Sequence, residues 1–334
     1  MRYHDSVEVD LRSIIEGSTV STQSLLMYHM GWKDIDGADA NLGRGKSLRS
    51  SLCLFSCESI GCDVRTAAPA AAAIELIHNF SLIHDDIQDG DIERRHRPTL
   101  WSIWGRAMGL LAGNSMRLHA DSTMLNSLSS NVPPDRLIQA LVKLTSLYLE
   151  MIEGQYLDMD FETQQYVRSD QYLHMTSKKT GALLEAAMYL GAYLGGGNTS
   201  QVNALSQYGR LLGISFQARD DFLGIWGDPK LTGKPAGSDI RRRKKSLPVI
   251  FCMETANPSQ RAILDDLYKS EEISTPDVEL ITKIMDSLGA MEYTQSVVVE
   301  KGIEALAHAQ QADIKPEALR ELNDLIEFMI NREF

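Results

Sequence analysis

Between short breaks rich in Gly, Pro and Asn, the chain repeats its apolar residues every three to four positions, and strand-like alternation is scarce. That spacing lets each segment bury one face only as a helix. The breaks fall near residues 37–45, 90–98, 131–134, 195–200, 227–237 and 257–259. Long periodic stretches lie between them, including 70–88, 136–161 and 180–194. No Gly-rich strand-turn-helix pattern points to a nucleotide fold, and no clear internal period is present. The pattern predicts an all-α fold; the length fits one large all-helical domain or two ordinary ones, and the economical reading is one bundle of roughly ten or more helices. The stretch 275–334 is helical in pattern and carries no evident chemistry.

Composition agrees. Aromatic residues make up 7% of the chain while Ala, Leu, Ile and Met are common, which favours helix over sheet. A net charge of −12 argues against a nucleic-acid partner, which calls for a basic stripe. The one basic run, Arg241-Arg242-Arg243-Lys244-Lys245, reads as a local anion site or a solvated turn. Cys53, Cys57, Cys62 and Cys252 match no zinc spacing and read as free, mostly buried thiols of a reducing cytoplasm. The first ten residues are charged rather than apolar, and no apolar run is long enough for a transmembrane segment. A cytoplasmic protein is expected.

Two carboxylate clusters interrupt this apolar pattern. In the first, AAAAIELIHNFSLIHDDIQDGD, a core-type helix runs into Asp85, Asp86 and Asp89. Asp85 and Asp89 share a face and repel each other, and both sit near the helix C-terminus, where the dipole disfavours negative charge. A bound cation reverses both penalties, and a hard, oxygen-rich site suits Mg²⁺ with phosphate completing the shell. A bare pair of this kind is more often a solvated helix end; the long apolar run feeding this one is what sets it apart. Arg94, Arg95 and Arg97 follow directly, and Arg presents a donor fork that matches phosphate.

The second cluster, GISFQARDDFLGIWGD, places Asp220 and Asp221 in an apolar helix with Gln217 one turn before Asp221. A further carboxylate one turn after Asp220 would stand at 224, which is Gly224. A Gly- and Lys-rich loop, KLTGKPAGSDIRRRKKSLP, comes next and is able to close over an anion. Together the clusters suggest Mg²⁺ and basic side chains neutralising a diphosphate leaving group. An allylic cation left behind would need apolar helix faces to keep water away.

At this point the sequence resembles the trans-isoprenyl diphosphate synthases, or polyprenyl synthetases, from about residue 43 to 248. The family's DDxxD followed by RR matches Asp85, Asp86, Asp89, Arg94 and Arg95. Its GKxxR motif matches Gly45, Lys46 and Arg49, and its upstream histidine matches His78. Its Lys-Thr pair matches Lys179 and Thr180, its second motif Gln217, Asp220 and Asp221, and its later lysines Lys234 and Lys244.

The resemblance implies a single all-α domain over 1–334 with its helices around a central cavity, and a prenyltransferase that condenses isopentenyl diphosphate with an allylic diphosphate. Asp85 and Asp89 would bind two Mg²⁺ ions with Asp86 in support, and Asp220 a third. Arg94, Lys179, Gln217, Lys234 and Lys244 would hold the allylic diphosphate, with Thr180 supporting. Lys46, Arg49, His78 and Arg95 would hold isopentenyl diphosphate. Gln155 and Asp158 would stand near the cavity. The allylic substrate ionises, the isopentenyl double bond attacks, and a proton leaves to the released pyrophosphate. The family's usual homodimer is expected.

Four positions depart from the family: Gly224 replaces the last Asp of the second motif, which puts the third Mg²⁺ site in doubt; Ser47 and Ser50 stand where Arg and Pro are often found; and His96 replaces the usual Gly after the Arg pair.

Product length follows from helix geometry. A chain growing away from the metals would run down the helix bearing Asp85, past Ser81 one turn below and then Ile77 and Ile74. Each isoprene unit spans roughly 4 to 5 Å, close to one helical turn. Small Ser81 leaves the top open and Phe80 would form the floor, although ordinary core packing also explains Phe80. In the family, an aromatic at Phe80's position with a small neighbour accompanies a twenty-carbon product. Geranylgeranyl diphosphate is therefore expected, and farnesyl diphosphate next. A class I terpene cyclase acting on one diphosphate would leave Lys46, Arg49, His78 and Arg95 without a task. A non-catalytic regulatory subunit has only Gly224 in its favour, and a helical scaffold leaves the ordered acid-base series unexplained.

Overall fold

The structure is a computed structural model that describes residues 2–40, 42, 45, 47–127, 132–232 and 235–333. The fold is all-α, as the periodicity predicts. Among the described residues the only strands are Glu93–Arg94 and Arg97–Pro98, paired antiparallel across a two-residue turn. No described helix is long and apolar enough to cross a membrane. Chain contacts resolve two compact units, Met1–Leu144 with Ala186–Val202, and Thr145–Glu185 with Asn203–Phe334.

In the first unit the central element is the Ala68–Asp89 helix, which packs along Arg106–Ser127 and against Leu48–Ser59 and His4–Glu16. Pro69 falls in its first turn, where the missing N–H costs nothing. Its alanines Ala70 to Ala73 are buried and let neighbouring helices approach closely, and Ile74, Leu76 and Ile77 continue as fully buried core. Gly90 ends it in the left-handed conformation (φ 71°) one residue past Asp89. The first carboxylate cluster thus caps the end of a helix that the core holds in place. Ser56 donates to the Met188 carbonyl at 2.6 Å and ties Leu48–Ser59 to residues beyond 186.

The second unit holds the 203–226 part of the Thr199–Trp226 helix. One apolar cluster joins Phe161, Tyr172, Met175, Ala218, Leu247, Ile250 and Val298. A second joins Ile225, Ile240, Val249, Leu264, Ile281 and Met285. Ala218 and Ile225 belong to the helix that carries Asp220 and Asp221, so packing on either side of the carboxylates fixes that helix. The terminal Pro316–Asn331 helix buries Ala318, Leu322, Ile326 and Met329, a single face at helical spacing, against Ala290–Gln310.

Candidate active site

In the first unit Asp85 is half-buried, Asp89 is exposed and Asp86 is buried. Asp86 accepts from Arg94 Nε at 2.6 Å, and burial, opposed by Arg94, raises its carboxyl to about 6. Arg94 is held by the hairpin, whose turn residues Arg95 (φ 52°) and His96 (φ 61°) are both left-handed. Two positive φ values define the tight hairpin turn that glycine would favour, so the His96 departure stores backbone strain. The loop beyond Asp89 is pinned by Thr99 and Trp101, which both donate to the Asp91 carbonyl, at 2.9 and 2.8 Å.

The residues expected to hold isopentenyl diphosphate gather in the same unit. Arg49 donates to His78 Nε2 at 3.1 Å. Burial, then the Arg49, Arg95 and Arg94 charges, holds His78 well below the usual histidine range, so the ring is neutral and can accept that bond. Gly45 lies against Arg95: a Cβ there would meet the guanidinium at 3.1 Å. Lys46 lies outside the described residues. Ser50 departs from the family without loss of a contact, since its hydroxyl donates to Glu75 at 2.9 Å. His29, which sequence reasoning missed, donates through Nε2 to Asn79 Oδ1 at 3.2 Å; burial and Arg95 lower it to about 3. Tyr28, His29, Asp86, Arg94, Arg95 and Arg97 line a cavity of about 30 Å³.

Below the cluster, Phe80 is buried and its ring packs on His84 with centroids 4.5 Å apart. Ser81 is half-buried and donates to the His78 carbonyl at 2.8 Å, and Ile77 is fully buried.

In the second unit Asp221 is completely buried and saturated. Its Oδ2 accepts from the Tyr172 hydroxyl at 2.6 Å and the Leu247 N–H at 3.1 Å, and its Oδ1 accepts from Gln217 Nε2 at 3.1 Å. Lys244 Nζ stands 3.5 Å from the same Oδ1. Gln217 in turn accepts from Thr180 at 3.2 Å. Lys179 donates to Asp158 at 2.5 Å, and a π-helical turn, Ser177–Gly181, sets its direction. Gly154 makes this possible: a Cβ there would lie 2.2 Å from the Lys179 backbone nitrogen. Gln155 belongs to the same helix as Gly154 and Asp158, and Lys234 lies outside the described residues.

Asp220 pairs with Arg332, which also donates to the Phe216 carbonyl at 3.2 Å. Burial raises the Asp220 carboxyl and Arg332 opposes it. The C-terminal stretch therefore carries chemistry that its helical pattern hides. The basic run divides its work. Lys245 donates to the Phe161 carbonyl at 2.6 Å and the Glu162 carbonyl at 3.2 Å, capping a helix end, and Arg243 donates to the Ser270 carbonyl at 2.6 Å. Lys244 faces carboxylates: burial alone would lower its pKa, and Asp221 and then Asp239 outweigh it, so the net shift is upward and the ammonium stays charged.

The donors around both clusters are oxygens. Among the described residues no three carboxylate, histidine or cysteine side chains converge as a ready-made metal cage. Mg²⁺ is suited to such a set, because it takes one or two carboxylates and completes its shell with water and substrate phosphate.

Comparison with known proteins identifies the family of the chain. The polyprenyl synthetase family model matches residues 37–285. The (2E,6E)-farnesyl diphosphate synthase of Mycobacterium tuberculosis is 36% identical over 99% of this chain and 91% of its own length. A crystal structure of geranylgeranyl pyrophosphate synthetase from Pyrococcus horikoshii is 32% identical with a TM-score of 0.88, covering 99% of this chain and 97% of its own. A polyprenyl synthase from Caulobacter crescentus, solved with calcium and isoprenyl diphosphate, is 26% identical with a TM-score of 0.83, covering 100% and 97%.

Proposed function

The chain belongs to the polyprenyl synthetase family and is a short-chain trans-prenyltransferase, and from that premise we propose that it condenses isopentenyl diphosphate with allylic diphosphates to geranylgeranyl diphosphate. The observation that carries the product length is Phe80, buried one residue before small Ser81 and five before Asp85. Its ring, backed by His84, forms the floor for a chain growing past Ser81 and Ile77.

A divalent metal is required, and three Mg²⁺ ions fit the donors: two on Asp85 and Asp89 and one on Asp220. When bound they neutralise the charge that develops on the departing diphosphate. The protein's own residues do the rest. Asp86 holds Arg94 toward a diphosphate. Asp221 orients Gln217, and Lys244, Lys179, Thr180 and Lys234 complete the allylic site. Arg49, kept in place by neutral His78, binds isopentenyl diphosphate with Lys46 and Arg95. The family match runs through both compact units, which supports one catalytic domain over 1–334.

A homodimer is part of this reading. Leu111, Leu118 and Leu125, seven residues apart on Arg106–Ser127, each stand more than half exposed, as do Ile138, Val142, Leu149 and Tyr156 on Pro134–Thr163. Such spacing is that of helices packing on helices, and a second copy is the occupant we infer. The four thiols are free, in keeping with a cytoplasmic enzyme.

The test is incubation with Mg²⁺, radiolabelled isopentenyl diphosphate and dimethylallyl, geranyl or farnesyl diphosphate in turn, followed by dephosphorylation and sizing. A labelled twenty-carbon alcohol that needs both substrates and metal is expected. A fifteen-carbon end product would refute the Phe80 floor, and a hydrocarbon made from an allylic diphosphate alone would refute the condensation.

A further inference from the structure

Residues 220 and 224 sit one turn apart on the Thr199–Trp226 helix, so a side chain at 224 would emerge on the same side as Asp220. At Gly224 that space is filled by another part of the chain. A Cβ on Gly224 would lie 2.4 Å from Oδ2, 2.5 Å from Cγ and 2.9 Å from Oδ1 of Asp239. The entire Asp239 carboxylate therefore rests on the Gly224 α-carbon, and only glycine leaves room for it. Two hydrogen bonds dock the segment there: the Gly237 N–H donates to the Ile225 carbonyl at 3.2 Å, and the Ser238 hydroxyl to the Gly224 carbonyl at 3.3 Å.

Asp239 is tied to Lys244 twice. The Lys244 N–H donates to the Asp239 carbonyl at 2.9 Å, and Nζ stands 3.7 Å from Oδ2. The same Nζ stands 3.5 Å from Asp221 Oδ1. Asp221 already accepts from Tyr172, Gln217 and Leu247, so its capacity to direct a further cation is limited. Asp239 has a side chain only 13% exposed, and among the described residues the other donor near it is the Ser238 hydroxyl, 3.5 Å from Oδ1.

We propose that Asp239 supplies the carboxylate that position 224 lacks, acting as the positioning residue that holds Lys244 toward the diphosphate of the allylic substrate. Gly224 is then the seat of Asp239, and the carboxylate beside Lys244 comes from the segment after the helix and not from position 224. This rests on the functional reading above, because it assigns Lys244 a diphosphate ligand. It also reverses the meaning of the Gly224 departure: restoring an aspartate there displaces Asp239 and weakens the site.

The experiment compares the full-length wild type with Gly224→Asp, Asp239→Asn and the exchange Gly224→Asp/Asp239→Gly. Binding of inorganic pyrophosphate is measured by calorimetry in Mg²⁺, and KM is measured for each substrate. Gly224→Asp and Asp239→Asn should each weaken pyrophosphate about tenfold, the loss of one interaction with a charged group. The KM of the allylic substrate should rise in parallel while that of isopentenyl diphosphate stays unchanged. The exchange should recover most of the pyrophosphate affinity. Pyrophosphate bound as tightly by Gly224→Asp as by wild type overturns the proposal, and so does an exchange variant no better than Gly224→Asp. Should Gly224→Asp not fold, Asp239→Asn decides alone: a loss of affinity at an unchanged melting temperature supports the positioning role, and equal affinity, or equal rises in both KM values, refutes it. Pyrophosphate binding is read without turnover, so a wild type that binds it and fails to condense would refute the functional reading and leave this comparison intact.

Discussion

His29 and His78 make acid stability a direct test of how the first unit is built. Both rings are half-buried and face arginine: His29 feels Arg95, Arg94 and Arg97, and His78 feels Arg49, Arg95 and Arg94. Their folded-state pKa values lie below the ordinary 6.5, at about 3 for His29 and well below 6.5 for His78. The sign follows from proton uptake. Below pH 6.5 the unfolded chain binds a proton at each histidine that the folded chain refuses, so stability falls as pH falls. The window opens at 6.5 and extends to about 3 for His29. Between pH 7.5 and 5.0 His29 contributes a loss of about 2 kcal/mol, and His78 adds a loss of the same sign. That is a large share of a total of roughly 5–15 kcal/mol. Other groups titrate in this range, and Asp86, raised to about 6, acts with the opposite sign. The measurement is therefore a difference: urea unfolding at pH 7.5 and 5.0 for wild type and for His29→Gln/His78→Gln, since glutamine can still accept from Arg49. The variant should lose at least about 2 kcal/mol less than wild type over that interval. Equal losses would show that the two rings ionise in the folded state, and the account of neutral His78 as the acceptor for Arg49 would fail with them.

Phe80→Ala removes the ring that packs on His84, and the product sized by chromatography should lengthen by at least one isoprene unit; an unchanged product would return Phe80 to ordinary core packing. His96→Gly relieves a φ of 61° at a residue whose side chain is 91% exposed, so melting should show a gain of about 0.5 kcal/mol, and a loss would mean the turn needs its imidazole. Arg332→Ala frees Asp220 from its cationic partner, and the Mg²⁺ concentration that half-saturates pyrophosphate binding should fall severalfold, about 1 kcal/mol of competition removed; a rise would make Arg332 a ligand holder instead of a competitor.

What the sequence made legible is what repeats. The alanine run and the buried isoleucines of Ala68–Asp89 announce a core helix, and Asp85 and Asp89 announce a site because they break its apolar face at its end. The periodic stretch 70–88 and the break near 90–98 lie close to the helix bounds, which Pro69 in the first turn and left-handed Gly90 past the end mark in the structure. The partners of polar groups were less legible, since they depend on chain segments far apart. Nothing in SDQYLHM marks Tyr172 as a donor to Asp221, 49 residues on. Nothing in the terminal helical pattern marks Arg332 as the partner of Asp220, 112 residues away.

The basic run shows why type and spacing alone mislead here. Five consecutive cations suggest one anion site, but the turn around Arg243, with φ at 54°, sends neighbours in different directions. Lys245 reaches helix carbonyls, Arg243 reaches the Ser270 carbonyl, and Lys244 alone of the three faces Asp221 and Asp239. Charge in a linear run predicts that a region is basic, and backbone geometry decides which cation the site receives. The same holds for glycine. At Gly224 the sequence offers an absence, a motif short of one carboxylate, and only the packing of Asp239 on that α-carbon shows that the missing side chain is the condition for another carboxylate to be there.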